Sequence, residues 1–410
     1  MRIALVIPEF DPRQGGAENW TFQFARRLIG HGHEVHVVAQ HFGASANDLP
    51  IIRHAVSIPR TRWSKDYLAF GAAVEREAKS LRVDLVHDMG HGWCADLFQP
   101  HGGTRRGSFE QNVRLAPAPL RGIKHLSANF LPRYRALFEL ERRQFRVPSS
   151  LAASKAPRFI ALSKMVERDI RAYHRAIPER QVRVVYNGVD TERFSPDRCA
   201  PRRAAARESL GAGDGDVVFM LLAHNFRLKG VATAIRALAR LAGRGAGALL
   251  VVVGRDRPGP YRRLARRLGC ANRVRFASEA ADPLPCYAAA DAYVQPTFYD
   301  PCSLVVLEAL ACGLPVVTTA CNGAAELLTH GRDGFVVQDP ADDQTLAGHL
   351  ELLMCPDRRR ALGAAARQTA LSHSLERNYR DILALYEEIL AAKSLGAAPH
   401  FGQQLRPVRS

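Results

Sequence analysis

At 410 residues the chain is about two to three times the usual domain length, and its 47% hydrophobic and 24% charged residues are typical of a folded globular protein rather than a disordered or fibrous one. No apolar run approaches the roughly 20 residues that span a bilayer, and no signal-peptide pattern opens the chain, so we expect a cytoplasmic protein. The eight cysteines include no Cys-x-x-Cys pair, so we expect neither a disulfide framework nor a zinc ribbon. The formal net charge of +17 implies either an anionic partner or a reason to tolerate self-repulsion.

Strand and helix patterns alternate along the first part of the chain. They predict strands at 2–8, 35–39, 85–87 and 159–162, and helices at 18–29, at 67–81 and from about 163. Alternation of this kind is typical of a parallel sheet with helices on both faces.

A second alternating series follows a connection at 187–215, which holds two prolines and the run Gly-Ala-Gly-Asp-Gly. Its patterns predict strands at 217–223, 249–253, 274–276, 292–295, 315–318 and 334–337, and helices at 231–241, 261–268, up to 290 and at 303–311. A last helix at about 374–390 is expected to cross back to the first part of the chain. The sequence therefore predicts an α/β protein with two Rossmann-like domains facing a central cleft, at 1–185 and 186–373, a returning helix at 374–392 and a disordered tail at 393–410.

Positive charge is concentrated between His101 and Arg175, where sixteen Lys or Arg stand against five acids. An anionic membrane surface, a phosphorylated acceptor and nucleic acid all fit such a stretch, and so do arginines that are merely solvated. A nucleic-acid-binding protein is the alternative from a different class, and it predicts aromatic side chains interleaved with the basic ones. Five aromatic residues satisfy that pattern: Phe109, Phe130, Tyr134, Phe138 and Phe145. We expect contact with an anionic membrane surface and no nucleic-acid partner.

Gly15 and Gly16 lie between the first strand and the first helix, where an open parallel sheet binds ligands. Glycine lets backbone N–H groups approach a phosphate, and the helix N-terminus adds partial positive charge. A tight turn without a ligand explains the pair equally well, and the spacing is not Gly-x-Gly-x-x-Gly, which disfavours a dinucleotide site.

The strongest motif is the segment 298–317, FYDPCSLVVLEALACGLPVV, in which Asp300 and Glu308 flank the start of a helix. A carboxylate one or two turns into a helix, such as Glu308, can accept hydrogen bonds from a ribose diol. An alternative is that both acids only cap and solvate the helix. The segment, extended by Asn322-Gly323-Ala324-Ala325-Glu326, resembles the signature of the family 4 retaining glycosyltransferases, which have the two-domain GT-B fold.

The helix start in this motif lies at Ser303, Leu304 and Val305, where free N–H donors would face a diphosphate. Two further segments resemble the same family: residues 187–194, where the family enters its second domain, and Leu228-Lys229-Gly230, its phosphate-binding Lys-Gly pair. A Lys at the start of a helix can neutralise charge as a diphosphate leaves.

Three departures from the family pattern concern the candidate site. The Arg that usually precedes the Lys-Gly pair is absent from its place, so Arg227 is the residue available to substitute for it. The first acid of the motif is Asp300 where the family commonly has Glu. The first-domain histidine that the family places near the reacting sugar corresponds to His101, with Asp96, His87 and His91 as neighbours in sequence.

The resemblance implies an acceptor-binding N-terminal domain and a nucleotide-sugar-binding C-terminal domain that close over the donor. Gly15 and Gly16 would approach the phosphates or the acceptor from one side. The diphosphate would be held by Arg227, Lys229 and the helix-start amides, and the ribose would bind to Glu308. Asp300 and His101 would lie near the transferred sugar. Leaving-group stabilisation would be the main catalytic contribution, with no general base assigned and no metal or other cofactor needed.

Within the family the chain looks most like the glucosyltransferases of the lipopolysaccharide core. The supporting segments are 132–142, 252–258 and 288–291. This resemblance implies hexose transfer from UDP-glucose or a similar donor to a lipopolysaccharide-core or other cell-envelope glycan, at the inner face of the cytoplasmic membrane. A sugar-nucleotide epimerase or hydrolase of the same fold is the alternative enzyme.

Overall fold

The structure is a computed structural model, and it describes residues 1–58, 67–147, 156–213, 215–242, 247–278 and 282–397. Two parallel sheets with accompanying helices make up the architecture, which confirms the predicted α/β class with two Rossmann-like domains. The predicted domain boundary at residue 185 lies between the last strand of the first sheet and the first strand of the second.

Within those ranges, the first sheet has seven parallel strands in the spatial order β5-β3-β1-β6-β7-β8-β9, and β2 and β4 form a separate pair. The strands are β1 (Arg2–Val6), β2 (Glu9–Phe10), β3 (Glu34–Ala39), β4 (His41–Phe42), β5 (Ile52–Ala55), β6 (Leu85–Asp88), β7 (Leu97–Phe98), β8 (Arg158–Ala161) and β9 (Val182–Val184). Residues 3–6 of β1 are fully buried, which explains their continuous apolar run. The patterns did not predict β5, β7 or β9: β7 and β9 are too short for a period of two to be visible, and β5 is largely exposed and has no apolar run.

The helices that accompany the first sheet in the described chain are α1 (Gly16–Gly30), α2 (Tyr67–Ala78), α3 (Arg105–Arg114), α4 (Ala118–Phe130), α5 (Pro132–Gln144) and α6 (Lys164–Tyr173). Helices α3 to α5 follow one another between β7 and β8, and we call them the three-helix insert. They pack around Phe109, Val113 and Ala128. The basic stretch of the sequence therefore folds largely into a helical unit of its own.

The second sheet, over the residues that the structure covers, has six parallel strands in the order β12-β11-β10-β13-β14-β15. They are β10 (Val217–Leu222), β11 (Ala248–Val253), β12 (Val274–Ala277), β13 (Ala292–Gln295), β14 (Val316–Thr319) and β15 (Gly334–Val337). The accompanying helices are α7 (Pro196–Cys199), α8 (Arg203–Ser209), α9 (Val231–Ala242), α10 (Gly259–Arg267), α11 (Leu284–Ala289), α12 (Leu304–Ala311), α13 (Asp343–Leu352) and α14 (Pro356–Leu371). Short 3₁₀ turns lie at Ala44–Asp48, Glu179–Gln181, Ala200–Arg202, Ala271–Arg273 and Gly323–Leu327.

The last helix, α15 (Leu375–Ala397), returns to the first domain, as the sequence predicted. The hydroxyl of Tyr386 hydrogen-bonds Nδ1 of His87 (2.8 Å), and Nζ of Lys393 lies 2.7 Å from a carboxylate oxygen of Asp96. The helix continues beyond its predicted end and takes in residues 393–397 of the predicted tail. Residues 398–410 lie outside the described residues.

The chain crosses between the two domains at two places that lie side by side. The N–H of Val189, in the outgoing connection, donates to the carbonyl of His373 (3.0 Å), and the N–H of Leu375 donates back to Val189 (2.9 Å). Gly188 is required here, because a Cβ at this position would lie 2.5 Å from the carbonyl oxygen of Ser374. The two crossings therefore form one hydrogen-bonded junction.

Candidate active site

The candidate site lies where the start of α1 in the first domain meets the start of α12 in the second. A Cβ added to Gly16 would lie 3.2 Å from Cδ1 of Leu304, so the two helix starts are in contact. Gly15 precedes α1 as its N-cap residue, in an extended conformation. Three of the predicted donor-binding residues, far apart in sequence, are thus neighbours in space.

Lys229 and Asp300 form an ion pair beside these helix starts. Nζ of Lys229 lies 2.5 Å from Oδ2 of Asp300, and Asp300 is only 7% exposed. Gly230 has a φ of +75°, and a Cβ there would lie 2.0 Å from the carbonyl oxygen of Pro296. The glycine of the Lys-Gly pair therefore lets the lysine-bearing turn pack directly on the loop that carries Asp300.

The start of α12 is held by a buried polar network. The N–H of Ser303 donates to Oδ1 of Asn322 (3.3 Å), and its hydroxyl donates to Oε1 of Gln295 (3.0 Å). Ser303 therefore fixes the loop, and its own amide is already engaged. Leu304 and Val305 open the helix, and first-turn N–H groups have no partner within their own helix. Their amides remain the donors best suited to an anion at this end of α12.

Glu308 lies on the second turn of α12. The hydroxyl of Tyr287 donates to Oε2 of Glu308 (2.6 Å), and burial raises the pKa of this carboxyl to about 7. The carboxyl is therefore poised between its two protonation states at neutral pH. Neither Tyr287 nor Gln295 was identified from the sequence, since an isolated buried Tyr or Gln gives no pattern.

Arg227 lies on the same turn as Lys229 but points elsewhere. Its guanidinium donates to the carbonyl of Leu115 at the end of α3 (2.9 Å), so it bridges the two domains. In this arrangement Arg227 contacts the first domain rather than the Lys229–Asp300 pair. Its predicted part in holding a diphosphate stays a prediction.

His101 lies on the first-domain side of the candidate site. Its ring lies against Trp20, with centroids 4.7 Å apart, and its buried Nε2 has no hydrogen-bond partner among the residues described. Burial lowers the pKa of His101 to about 3, so the imidazole is neutral. Nδ1 of His87 bonds the Tyr386 hydroxyl and Asp96 pairs with Lys393, so both of these neighbours in sequence contact α15.

A small cavity lies beside Leu304 and Glu308, and its lining does not include Lys229, Asp300 or His101. This cavity of about 40 Å³ is lined by Asn19, Trp20, Arg193, Leu304 and Glu308, among others. Pockets that bind small molecules and cofactors usually have volumes of about 300 Å³ or more. This cavity is therefore too small to hold a nucleotide sugar as it stands.

A larger cavity, of about 500 Å³, lies beside β12 at the edge of the second sheet, and arginines such as Arg262 and Arg266 line it. None of the predicted site residues contributes to its lining. Cavity volume alone therefore does not locate the candidate site, whereas the convergence of helix starts and charged groups does.

Two family models match the chain in succession. The model for Glycosyltransferase Family 4 matches residues 14–193, and the model for Glycosyl transferases group 1 matches residues 202–369. The first match takes in strands β3 to β9 of the first domain, and the second takes in strands β10 to β15 of the second domain.

Relatives cover nearly the whole chain. It is 30% identical over 428 residues to a D-inositol 3-phosphate glycosyltransferase of Geodermatophilus obscurus, covering 96% of this chain and 89% of the relative. It is 29% identical over 392 residues to a GDP-mannose-dependent alpha-(1-6)-phosphatidylinositol monomannoside mannosyltransferase of Mycobacterium tuberculosis, covering 90% and 93%. Among solved structures, WaaG, a glycosyltransferase involved in lipopolysaccharide biosynthesis, is similar with a TM-score of 0.75 at 24% identity, covering 97% of this chain and all of that one.

Proposed function

We propose a reaction for this chain from the premise that it belongs to the family 4 glycosyltransferases of GT-B fold and is a hexosyltransferase. The proposed reaction is retaining transfer of a hexose from UDP-glucose to a lipopolysaccharide-core or other cell-envelope glycan. The observation that carries it is the Lys229–Asp300 pair beside the start of α12, facing the start of α1 across the cleft.

The diphosphate would lie between Lys229 and the amides of Leu304 and Val305. Lys229 now pairs with Asp300, so a diphosphate would compete for its ammonium and leave the Asp300 carboxylate to accept from sugar hydroxyls. As the sugar–phosphate bond breaks, negative charge grows on the leaving group, and a preformed cation and helix N-terminus stabilise it. We assign no protein base: a donor phosphate oxygen takes the acceptor's proton on the same face of the sugar. With Lys229 neutralising the diphosphate, the reaction as proposed needs no metal.

The donor is tested by a thermal-shift panel of UDP-glucose, GDP-mannose and ADP-glucose. A ligand that binds only the folded state at one hundred times its Kd stabilises that state by about 2.7 kcal/mol. We expect UDP-glucose to raise the melting temperature most. A larger shift with GDP-mannose, the donor named for the mycobacterial relative, would replace UDP-glucose in the proposal, and no shift with any of the three would contradict it.

The role of Glu308 predicts a pH dependence of donor binding. Ribose hydroxyls donate to the ionised carboxylate, so UDP-glucose binds the protein in which Glu308 is deprotonated. The affinity for UDP-glucose should therefore rise as the pH rises through the pKa of about 7. Because about a tenth of the groups are ionised one pH unit below that pKa and about nine tenths one unit above, the Kd for UDP-glucose should fall about tenfold from pH 6 to pH 8. Isothermal titration checks this. Glu308→Gln should bind more weakly with a flat profile, and an equally steep profile in that variant would contradict the assignment.

Contact with an anionic membrane surface is the second part of the proposal. The supporting feature is an exposed apolar row on α4, at Leu120, Ile123, Leu126 and Phe130, of which Ile123 is 67% and Phe130 76% exposed. At about 100° per residue these four side chains occupy about one third of the helix circumference. The same insert also has exposed arginines, at 121 on α4 and at 133 and 135 on α5. An apolar face with basic flanks is the composition of an interfacial helix.

No helix in the described part of the chain is both long and apolar enough to cross a bilayer. The membrane contact that we propose is accordingly a surface contact. Of the four arginines in the last part of the insert, Arg142 and Arg143 already pair with Glu139, at 2.7 and 2.8 Å. Arg133 and Arg135 are therefore the ones available to lipid headgroups.

The structure disfavours the nucleic-acid-binding alternative. Phe109 and Phe145 are buried, and Tyr134 and Phe138 lie edge-on against Phe109 with ring centroids 4.8 and 5.4 Å away. Stacking on bases requires exposed ring faces. Of the five aromatic residues that suggested such a surface, Phe130 alone is largely exposed.

A further inference from the structure

The hydroxyl of Tyr299, the residue before Asp300, crosses the cleft into the first domain. It accepts a hydrogen bond from the N–H of Thr104 (3.2 Å) and donates one to Oδ2 of Asp169 on α6 (3.0 Å). Tyr299 is only 3% exposed. Gly103, with a φ of +67°, makes this approach possible, since a Cβ there would lie 2.4 Å from the tyrosine hydroxyl.

Thr104 joins this contact to the loop that carries His101. It is the N-cap of α3, and its hydroxyl accepts from the N–H of Gly107 (3.1 Å) and donates to the same Asp169 oxygen (3.3 Å). The Asp169 carboxylate is thus shared by one hydroxyl from each domain. Thr104 lies three positions after His101, and Tyr299 immediately precedes Asp300.

The 3₁₀ turn at Gly323–Leu327 of the second domain contacts the start of α6, the helix that carries Asp169. The carboxylate of Glu326 accepts from the N–H groups of Lys164 and Met165, the first two residues of α6, at 2.8 Å each. A carboxylate at this end of a helix is favoured by the helix dipole. Backbone bonds join the two loops, since the N–H of Gly323 donates to the carbonyl of Asp300 (2.8 Å).

We propose that Tyr299 is a positioning residue for the transfer reaction, which sets the His101 loop against Asp300 through its shared bonds to Thr104 and Asp169. Glu326 anchors the same helix from the adjoining loop. This inference rests on the proposed function. The hydroxyl itself points away from the Lys229–Asp300 pair into the first domain. Its loss therefore leaves the contacts with the sugar donor in place and changes how the His101 loop lies against the Asp300 loop.

The test compares Tyr299→Phe with Tyr293→Phe, a matched control whose buried hydroxyl bonds the carbonyl of Leu222 within the second domain (3.4 Å). We expect Tyr299→Phe to lower kcat about tenfold, the effect of one hydrogen bond to a charged group, with the KM for the donor changed less than about threefold. The assay measures nucleotide release from UDP-glucose and from GDP-mannose, with a lipopolysaccharide-core oligosaccharide as the acceptor in both cases. Asp169→Asn added to Tyr299→Phe should cause no further loss.

Hydrogen–deuterium exchange gives a readout that needs no substrate. The amide of Thr104 loses its acceptor in Tyr299→Phe, so peptides covering 101–104 should exchange several-fold faster, whereas Tyr293→Phe should leave them unchanged. Unchanged exchange in Tyr299→Phe, or a kcat equal to that of the control, would overturn the inference. A rise in the donor KM at unchanged kcat would overturn it as well. If the wild-type protein releases no nucleotide from either donor, the proposed function fails, and the exchange measurement still decides whether Tyr299 holds the His101 loop.

Discussion

Lys229→Ala is expected to lower kcat/KM for transfer by about three orders of magnitude, which corresponds to about 4 kcal/mol of transition-state stabilisation. The ammonium is the cation that the geometry places closest to the candidate phosphate position, and it sits on a turn packed against the Asp300 loop. Under the proposed mechanism, removing it takes away the positive charge that stabilises the departing diphosphate. Lys229→Arg keeps the charge but changes its shape, so it should recover only part of the activity.

Stability and activity have to be separated in this experiment. Asp300 loses its cation in a nearly buried position, so Lys229→Ala is also expected to lower the melting temperature. Lys229→Ala/Asp300→Asn removes the unpaired charge and should restore stability without restoring activity. Lys79→Ala, which changes an exposed lysine of the first domain, serves as control. A Lys229→Ala protein that is folded at the assay temperature and retains more than about a tenth of wild-type kcat/KM would contradict the assigned role.

Ile123→Asp/Phe130→Asp is expected to weaken binding to liposomes containing anionic lipid by about two orders of magnitude. Each replacement removes a large side chain from the apolar row of α4 and puts a negative charge near an anionic surface. Because both side chains are mostly exposed, the fold should tolerate the change. Cosedimentation with vesicles, with and without phosphatidylglycerol, measures the effect, and the Kd for UDP-glucose should be unaffected.

Leu371→Asp is the control for this variant, because it likewise replaces an exposed apolar side chain with a negative charge. Leu371 ends α14 in the second domain and is 44% exposed, so its replacement alters exposed apolar surface away from the insert. Raising the salt concentration should weaken wild-type binding only in part, because the apolar contribution does not depend on screening. Vesicle binding by Ile123→Asp/Phe130→Asp that matches the wild type would rule out α4 as the contact surface.

The central strands of both domains were predictable because parallel strands buried on both faces are continuous apolar runs. β1 and β10 are examples, with nearly every residue buried. Lys229, Asp300 and the start of α12 were identified by resemblance, and the structure brings them together across many residues of sequence. Their catalytic roles remain predictions.

Other features left no trace in the linear pattern. α4 directs its largest apolar side chains outward, so its periodicity does not indicate burial in a core. None of the three helices of the insert was predicted from the sequence, in which this region was noted for its charge, its aromatic residues and one segment of family resemblance. The bonds of Tyr299 to Asp169 and of Glu326 to α6 join residues more than one hundred positions apart. Such contacts depend on how two completed domains face each other, which no local propensity encodes.

The side-by-side crossings at Val189 and His373 have a topological consequence. The first domain is discontinuous, because α15 completes it after the chain has built the second. The second domain therefore has the topology of an inserted cassette whose two ends meet at one junction, an arrangement in which a domain can be exchanged as a unit. The two domains of such a chain can diverge separately, and each can recombine with a new partner domain as long as that junction is kept.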